Sequence, residues 1–197
     1  MGLISVESGK YSLSDMGWQF VLMKPPESIA IQRHEVQKQE KHLRELALGR
    51  FNAFDPTVEK THSLREIFVR DRAFRKIVTS QHDHCCAVCE LRLATPKGVY
   101  EAEAAHIVPK RKMGSDDPRN GISLCGTHHS TFDEGLISVN PSKHTIVVAS
   151  YLERYSNEEP VSKFLKLKGK RIEQVVDQQL SPSDEALGWH TENVFLG

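Results

Sequence analysis

The chain has 197 residues, 39% hydrophobic and 26% charged. That is enough apolar content for one compact domain, or one domain with an appendage, and too much for a compositionally disordered chain. Its 26 Lys/Arg and 26 Asp/Glu cancel, which excludes nucleic-acid binding driven by global charge and leaves that task to local patches. No apolar run approaches the roughly 20 residues that span a bilayer. The opening MGLISVESGKYSLSDMGWQF has neither the charged start nor the apolar core of a secretory signal, so the cytoplasm is the expected location.

In chain order, WQFVLM (Trp18–Met23) reads as a strand ended by Pro25-Pro26. SIAIQRHEVQKQEKHLRELALGRF predicts a helix from Ala30 to Leu48, with Val36, Leu43, Leu46 and Ala47 as a thin apolar stripe and Gly49 as C-cap. Such a helix packs on a domain or bridges to a partner. NAFDPTVEKTHS then reads as a linker, so residues 1–65 form a helical N-terminal appendage, a candidate surface for homodimer pairing, and residues 66–197 the main domain. LREIFVRDRAFRKIVTSQH carries Leu64, Ile67, Phe68, Phe74, Ile77 and Val78, with Asp71 placed to cap a helix from Arg72 to Ser80. VYEAEAAHIVP (Val99–Pro109) predicts a strand between Pro96-Lys97-Gly98 and Pro109, and KRKMGSDDPRNG a loop. A helix is expected from Cys125 through Phe132, stopping at Gly135. LISVNPSKHTIVVAS follows as a hairpin around Asn140-Pro141-Ser142, and SPSDEALGWHTENVF as a short amphipathic helix capped by Ser183.

Three of the four cysteines, Cys85, Cys86 and Cys89, crowd into five residues. In a reducing compartment, thiols clustered near histidines are more often metal ligands than disulfide halves. Cys86-Ala-Val-Cys89 has C-x2-C spacing and Cys125-Gly-Thr-His128 has C-x2-H spacing. Two such knuckles supply the four soft or borderline donors of a tetrahedral structural zinc site. Cys85 is then a neighbour, with a Cys85/Cys89 pairing at x3 as the alternative. If Cys125 and His128 face zinc, His129 points elsewhere, because adjacent helix positions differ by about 100°. Asp133 falls on the face of His129, and a His and a carboxylate four residues apart make a half-site for a second divalent cation. On the strand, Glu103 and Ala105 face one side and His106 the other. His106 is free to act as a base there, and Glu103 can lean toward the metal.

His106, Asn120 and His129, flanked by the two knuckles, resemble the HNH (ββα-metal) endonucleases over Val69 to Ser150. The wording AAHIVP, NGISLC and HHSTFDEGLISV is especially similar to the HNH domains of bacterial restriction endonucleases, including those that cut modified DNA, and LGWHTENVF looks like their tail. The resemblance implies an α+β fold, a zinc-stabilised ββα-metal core with flanking helices and a β-hairpin. It implies a metal-dependent DNA endonuclease acting in restriction or defence against foreign DNA. In that reading His106 is the general base, and Asn120 holds the loop or reaches the metal. His129 ligates a catalytic Mg²⁺ or transition metal, and the products are a 5′ phosphate and a 3′ hydroxyl. Many family members carry Asp or His where this chain has Ala105, so Glu103 and Asp133 are the candidates to complete the ligand set.

Lys110, Arg111, Lys112 and Arg119 follow the proposed base, and Arg72, Arg75 and Lys76 form a second basic cluster. These are expected to contact DNA phosphates, which carries no sequence information. The rival readings are a zinc-stabilised nucleic-acid or protein binding module without catalysis, which Ala105 favours, and a secreted nuclease toxin, which the missing export signal disfavours.

Overall fold

The computed structural model describes residues 4–7, 10–13, 30–55, 63–172 and 175–197. The expected strand Trp18–Met23 and most of the expected linker lie outside them. An N-terminal hairpin pairs β1 (Ile4–Glu7) with β2 (Lys10–Leu13). Helix α1 (Arg33–Ala47) starts at Gln32, whose backbone N–H donates to the Glu35 carboxylate at 2.9 Å. Its end is not capped by a left-handed Gly49: Leu48 is the right-handed cap, and Gly49 merely donates to the Leu46 carbonyl.

Helix α2 (Leu64–Gln81) is longer than the sequence predicts. It begins at Ser63, where the Ser63 N–H donates to Glu66 at 2.8 Å and Ser63 Oγ accepts from the Glu66 N–H at 3.3 Å. This reciprocal capping box satisfies two of the orphan donors at the helix start and leaves Asp71 inside the helix rather than at its cap. The stripe of α1 is buried within the chain: Leu43 and Ala47 pack with Ala73, Phe74, Ile77 and Val78 of α2. Leu46 stays 43% exposed. Two ion pairs, Arg65–Glu35 and Lys76–Glu40, both 2.7 Å, bridge the helices. Exposed pairs of this kind contribute about 0–1 kcal/mol, so the apolar contact decides the packing.

Against α2 lies the ββα unit: β3 (Glu103–His106) antiparallel to β4 (Gly121–Leu124), followed by α3 (Gly126–Asp133). The register pairs Glu103 with Leu124 and His106 with Gly121. The predicted strand Val99–Pro109 thus contracts to four residues, and Tyr100 instead bridges to Ala94. Gly121 is extended rather than a turn residue. A Cβ there would meet Val78 Cγ2 at 2.4 Å and Phe74 Cζ at 2.8 Å, so glycine is what lets β4 lie on α2. β5 (Ile137–Val139) and β6 (Ile146–Val148) form the next hairpin, α4 (Glu159–Leu165) follows, and α5 (Asp184–Asn193) is capped by Ser183. Among the described residues no helix is long and apolar enough to cross a membrane.

The main core joins Ala105, Ile107, Ile122 and Leu124 of the hairpin to Phe132, Ile137, Ile146 and Leu187. The segment before α2 also enters it. Ala53 is fully buried, Ser115 N donates to Ala53 O at 3.0 Å, and Asp55 N donates to Met113 O at 2.8 Å.

His190 fastens α5 to this core. It is 1% exposed and stacks on Phe132 with ring centroids 3.7 Å apart. Nε2–H donates to the Phe132 carbonyl at 3.1 Å, which leaves Nδ1 to accept from Ser138 Oγ at 2.8 Å. Burial pushes its pKa down to about 4, against the pull of the Phe132 carbonyl. An imidazole with its folded pKa below the unfolded value of about 6.5 takes up a proton on unfolding. Its contribution to stability is therefore complete above that value and is lost as pH falls toward 4. In denaturant unfolding, the stability gap between wild type and His190→Gln is expected to be widest at pH 7. It should narrow at pH 4.5, by on the order of 3 kcal/mol at most.

Candidate active site and metal centre

The two knuckles converge. The donor atoms of Cys86, Cys89, Cys125 and His128 all lie within 4.8 Å of one another. His128 Nδ1 is 3.1 Å from Cys125 Sγ and 3.5 Å from Cys86 Sγ, and the Cys89 and Cys125 sulfurs are 4.0 Å apart. A tetrahedral ion with sulfurs about 2.3 Å away would set them roughly 3.8 Å apart, so the spacing suits one. Cys85 stands outside the cluster, its Sγ 3.7 Å from the Asp83 carbonyl. The thiols fit a cation electrostatically as well. The Cys86 pKa is lowered, first by its hydrogen bond from Cys125, while that same bond and burial push Cys125 up to about 12. Three neighbouring thiolates repel one another, and a divalent ion removes the conflict.

His106, at the end of β3, lies flat on Phe74 of α2 with centroids 3.9 Å apart and an 8° angle between the planes. Its Nε2 is 3.1 Å from Asp116 Oδ1. Because that carboxylate accepts, Nε2 carries the proton and Nδ1 the lone pair. Burial pushes the His106 pKa down to about 4, partly opposed by Asp116, so the ring is neutral near pH 7. Asp116 itself is 2% exposed and held by Lys110 Nζ and by Arg70, 3.0 Å away. Burial alone would raise its pKa. Lys110, His106 and Arg70 outweigh burial and hold the carboxyl well below the usual range. Sequence reasoning left Asp116 in an anonymous loop, because its partners come from α2, β3 and a 3-10 turn. Asp71, one turn before Phe74, is a second acid near this group, and burial raises its pKa to about 6.

Asn120 is fully buried and works on the loop. Its Oδ1 accepts from Val108 N at 2.9 Å, and Nδ2 donates to Val108 O at 3.1 Å and Ser115 O at 2.9 Å. It therefore staples the 108–120 loop shut at both ends and fixes the chain just beyond His106.

His129 follows the knuckle histidine on α3 and faces the opening of β3. Nδ1 is 2.8 Å from Glu103 Oε2, and Nε2 is 3.5 Å from Asp133 Oδ2. With Nδ1–H donating to Glu103, the Nε2 lone pair meets a carboxylate, an arrangement that is favourable only with a proton or a cation between them. Burial pulls the His129 pKa down, but the Glu103 bond and the Asp133 and Glu103 charges outweigh it, so the net shift is upward. The His129 bond lowers Glu103 in turn. Among the described residues, His129, Glu103 and Asp133 do not close around one point as the cysteine cluster does. Ala105, which shares a strand face with Glu103, is fully buried in the core and offers no ligand atom.

The basic residues divide. Lys110 pairs with Asp116, and Lys76 with Glu40. Arg119 pairs with Asp117 at 2.7 Å, donates to the Gly49 carbonyl and covers Phe51. Arg111 and Lys112 are exposed on the turn Lys110–Lys112, and Arg75 is half-buried near Glu103 and His129, whose pKa values feel its charge.

Residues 86–140 match the HNH_2 family, described as HNH endonuclease, so this part of the chain is an HNH endonuclease domain. No curated protein sequence matches the chain. A solved structure described as a modification dependent TagI restriction endonuclease is similar at 22% identity and a TM-score of 0.45. The alignment covers 61% of this chain and 37% of that one, so the chain spans little more than a third of that protein's length.

A closed four-donor site is expected to carry about one metal ion per chain. Cys89→Ser should lose that ion and melt at lower temperature, with a stability loss of several kcal/mol, while Cys85→Ser should keep both the ion and the melting point. Elemental analysis and thermal melts of the two variants check this.

Proposed function

We propose that this HNH endonuclease domain hydrolyses phosphodiester bonds in DNA with a divalent cation, in restriction or another defence against foreign DNA. The observation that carries the reading is a pair of imidazoles, each held by a carboxylate. His106 has Nε2 held by Asp116 and a lone pair on Nδ1, whereas His129 has Nδ1 held by Glu103 and Nε2 turned to the Asp133 carboxylate, where a cation between the two would use its lone pair. One lone pair suits a proton and the other suits a metal.

His106 is the general base. Asp116 holds Nε2–H, fixes the tautomer and stabilises the imidazolium that forms when Nδ1 takes a proton from the attacking water. Phe74 and the Asn120 staple keep the ring from swinging. His129 and Asp133 would hold the catalytic cation, with Glu103 orienting His129 from behind in the manner of carboxylate–histidine–metal triads. Such a cation supplies charge compensation at the scissile phosphate and the leaving oxygen. Two protein donors suffice for Mg²⁺, which keeps waters and takes substrate phosphate as a ligand. The Cys₃His cluster would hold zinc, which organises the fold and takes no part in the chemistry. Arg75, Arg111 and Lys112 are the cations best placed to meet phosphates, with Lys76, Lys110 and Arg119 acting mainly through their internal pairs.

The buried Ala105 favours the rival reading, a binding module without catalysis. Plasmid cleavage with and without Mg²⁺ or Mn²⁺ separates the two. Wild type is expected to cut only with the cation. His106→Ala should lose about 10²–10⁴-fold in rate, and Asp116→Asn should lose part of that while still binding DNA. Equal cleavage by wild type and His106→Ala would sink the assignment of the base.

A further inference from the structure

Beside the proposed metal position lies an open pocket of about 460 Å³, which shares Asp133, Arg111 and Lys112 with the hydrolytic reading and has an aromatic wall that this reading does not use. Its walls come from four parts of the chain. Phe54 stands on the segment laddered to residues 113–115, and Arg111 and Lys112 sit on the turn after His106. Asp133 closes α3, and Trp189 and Asn193 lie on α5. The volume falls in the range of sites for small organic groups, about 300–1,000 Å³.

The lining has a specific chemistry. Phe54 and Trp189 meet edge to face, centroids 6.3 Å apart and planes at 80°, so the pair leaves ring faces that neither partner covers. Both rings are only half-buried. The Trp189 indole N–H makes no hydrogen bond among the described residues. Asn193 Nδ2 donates to the Trp189 carbonyl at 2.8 Å, which fixes the amide and leaves its Oδ1 without a partner among them. A flat π surface, one donor and one acceptor therefore share a pocket with Arg111 and Lys112 on one side and the carboxylates Asp133 and Glu134 on the other. Asp133 belongs both to this pocket and to the proposed cation site, so an occupant here is adjacent to the group at the metal.

The loop that forms one wall is tightly packed. Gly114 bridges to Phe54, and a Cβ on Gly114 would fall 1.8 Å from the Val108 carbonyl oxygen, so any larger residue would push the wall apart.

We propose that this pocket receives the base of the nucleotide next to the cleaved phosphate, unstacked from its neighbours and laid against Trp189 and Phe54. This rests on the nuclease reading and adds a requirement to it. Stacking on an aromatic ring is indifferent to base identity, because every base has a π face. The pocket would therefore favour bases that leave the stack easily, those in mismatches, damaged pairs or single strands. Arg111 and Lys112 would meet the phosphates on either side.

The test uses the full chain carrying Trp18→Phe, which leaves Trp189 as the only indole, together with His106→Ala to prevent turnover. A labelled short duplex is titrated in with Mg²⁺, with anisotropy reporting binding and Trp189 emission reporting the pocket. Quenching of Trp189 along the binding curve, reached at lower DNA concentration when the duplex carries a mismatch, is the expected result. Binding to saturation with Trp189 emission unchanged would overturn the proposal. In the active protein, Trp189→Leu should lower kcat/KM about ten-fold, and Trp189→Phe, which keeps a ring, should lose less, both retaining bound metal and melting point. Equal loss in the two variants would assign Trp189 a packing role only. Wild type that cuts DNA with a silent Trp189 would defeat this inference alone, whereas wild type that never cuts DNA would remove the nuclease reading beneath it.

Discussion

The convergence of Cys86, Cys89, Cys125 and His128 is the constraint on which the rest depends. Helix α3 has eight residues, far fewer than the roughly 12–15 that an isolated helix needs to persist in water. Its position comes from outside. Cys125 is the N-cap residue and His128 lies on its first turn, and both are drawn to sulfurs on the 86–89 knuckle. Once that turn is fixed, His129 has no choice of direction, and Glu103 meets it at 2.8 Å. The distance between a sulfur cluster and an imidazole–carboxylate pair is thus set by one residue of helical rotation, about 100°.

The second organising element is less economical. Asp116 is a buried carboxylate tied to Arg70, Lys110 and His106. Buried ion pairs are poor evidence for stability, because removing the charges from water costs about as much as their attraction returns. The arrangement makes sense as positioning. Arg70 belongs to α2, Lys110 to the following turn and His106 to β3, so a displacement of any of the three disturbs the others. The imidazole that needs a defined orientation is the one placed at the junction. His106 is held from its face by Phe74, from its edge by Asp116 and from the backbone beyond it by Asn120.

What could be read from the sequence divides along physical lines. The two knuckles, the helix that follows Cys125 and its stop at Gly135 were legible, because ligand spacing and cap chemistry are local. The 140–142 turn and the Ser183 cap were legible for the same reason. The start of α2 was not: Asp71 and Ser63 are both good caps, and only Ser63 has its Glu three residues on. Gly121 closed the predicted loop KRKMGSDDPRNG, but the glycine answers to the closeness of Val78 and Phe74, which no local pattern records. The basic residues were read as a DNA surface from charge alone. Their acidic partners, Asp116, Asp117 and Glu40, can be assigned only once the chain is folded. Asp116 escaped notice for the same reason, since an aspartate in a polar loop has no signature until two cations and an imidazole surround it.

The ladder between residues 53–55 and 113–115 has a practical meaning for anyone who wishes to transplant this ββα unit. Ala53 is a plug seated in the floor beneath the hairpin, supplied from well upstream of the strands it supports. A graft beginning with α2 would leave that socket open to solvent. The portable piece must therefore bring along a short upstream wedge that seals the underside and carries Phe54 with it.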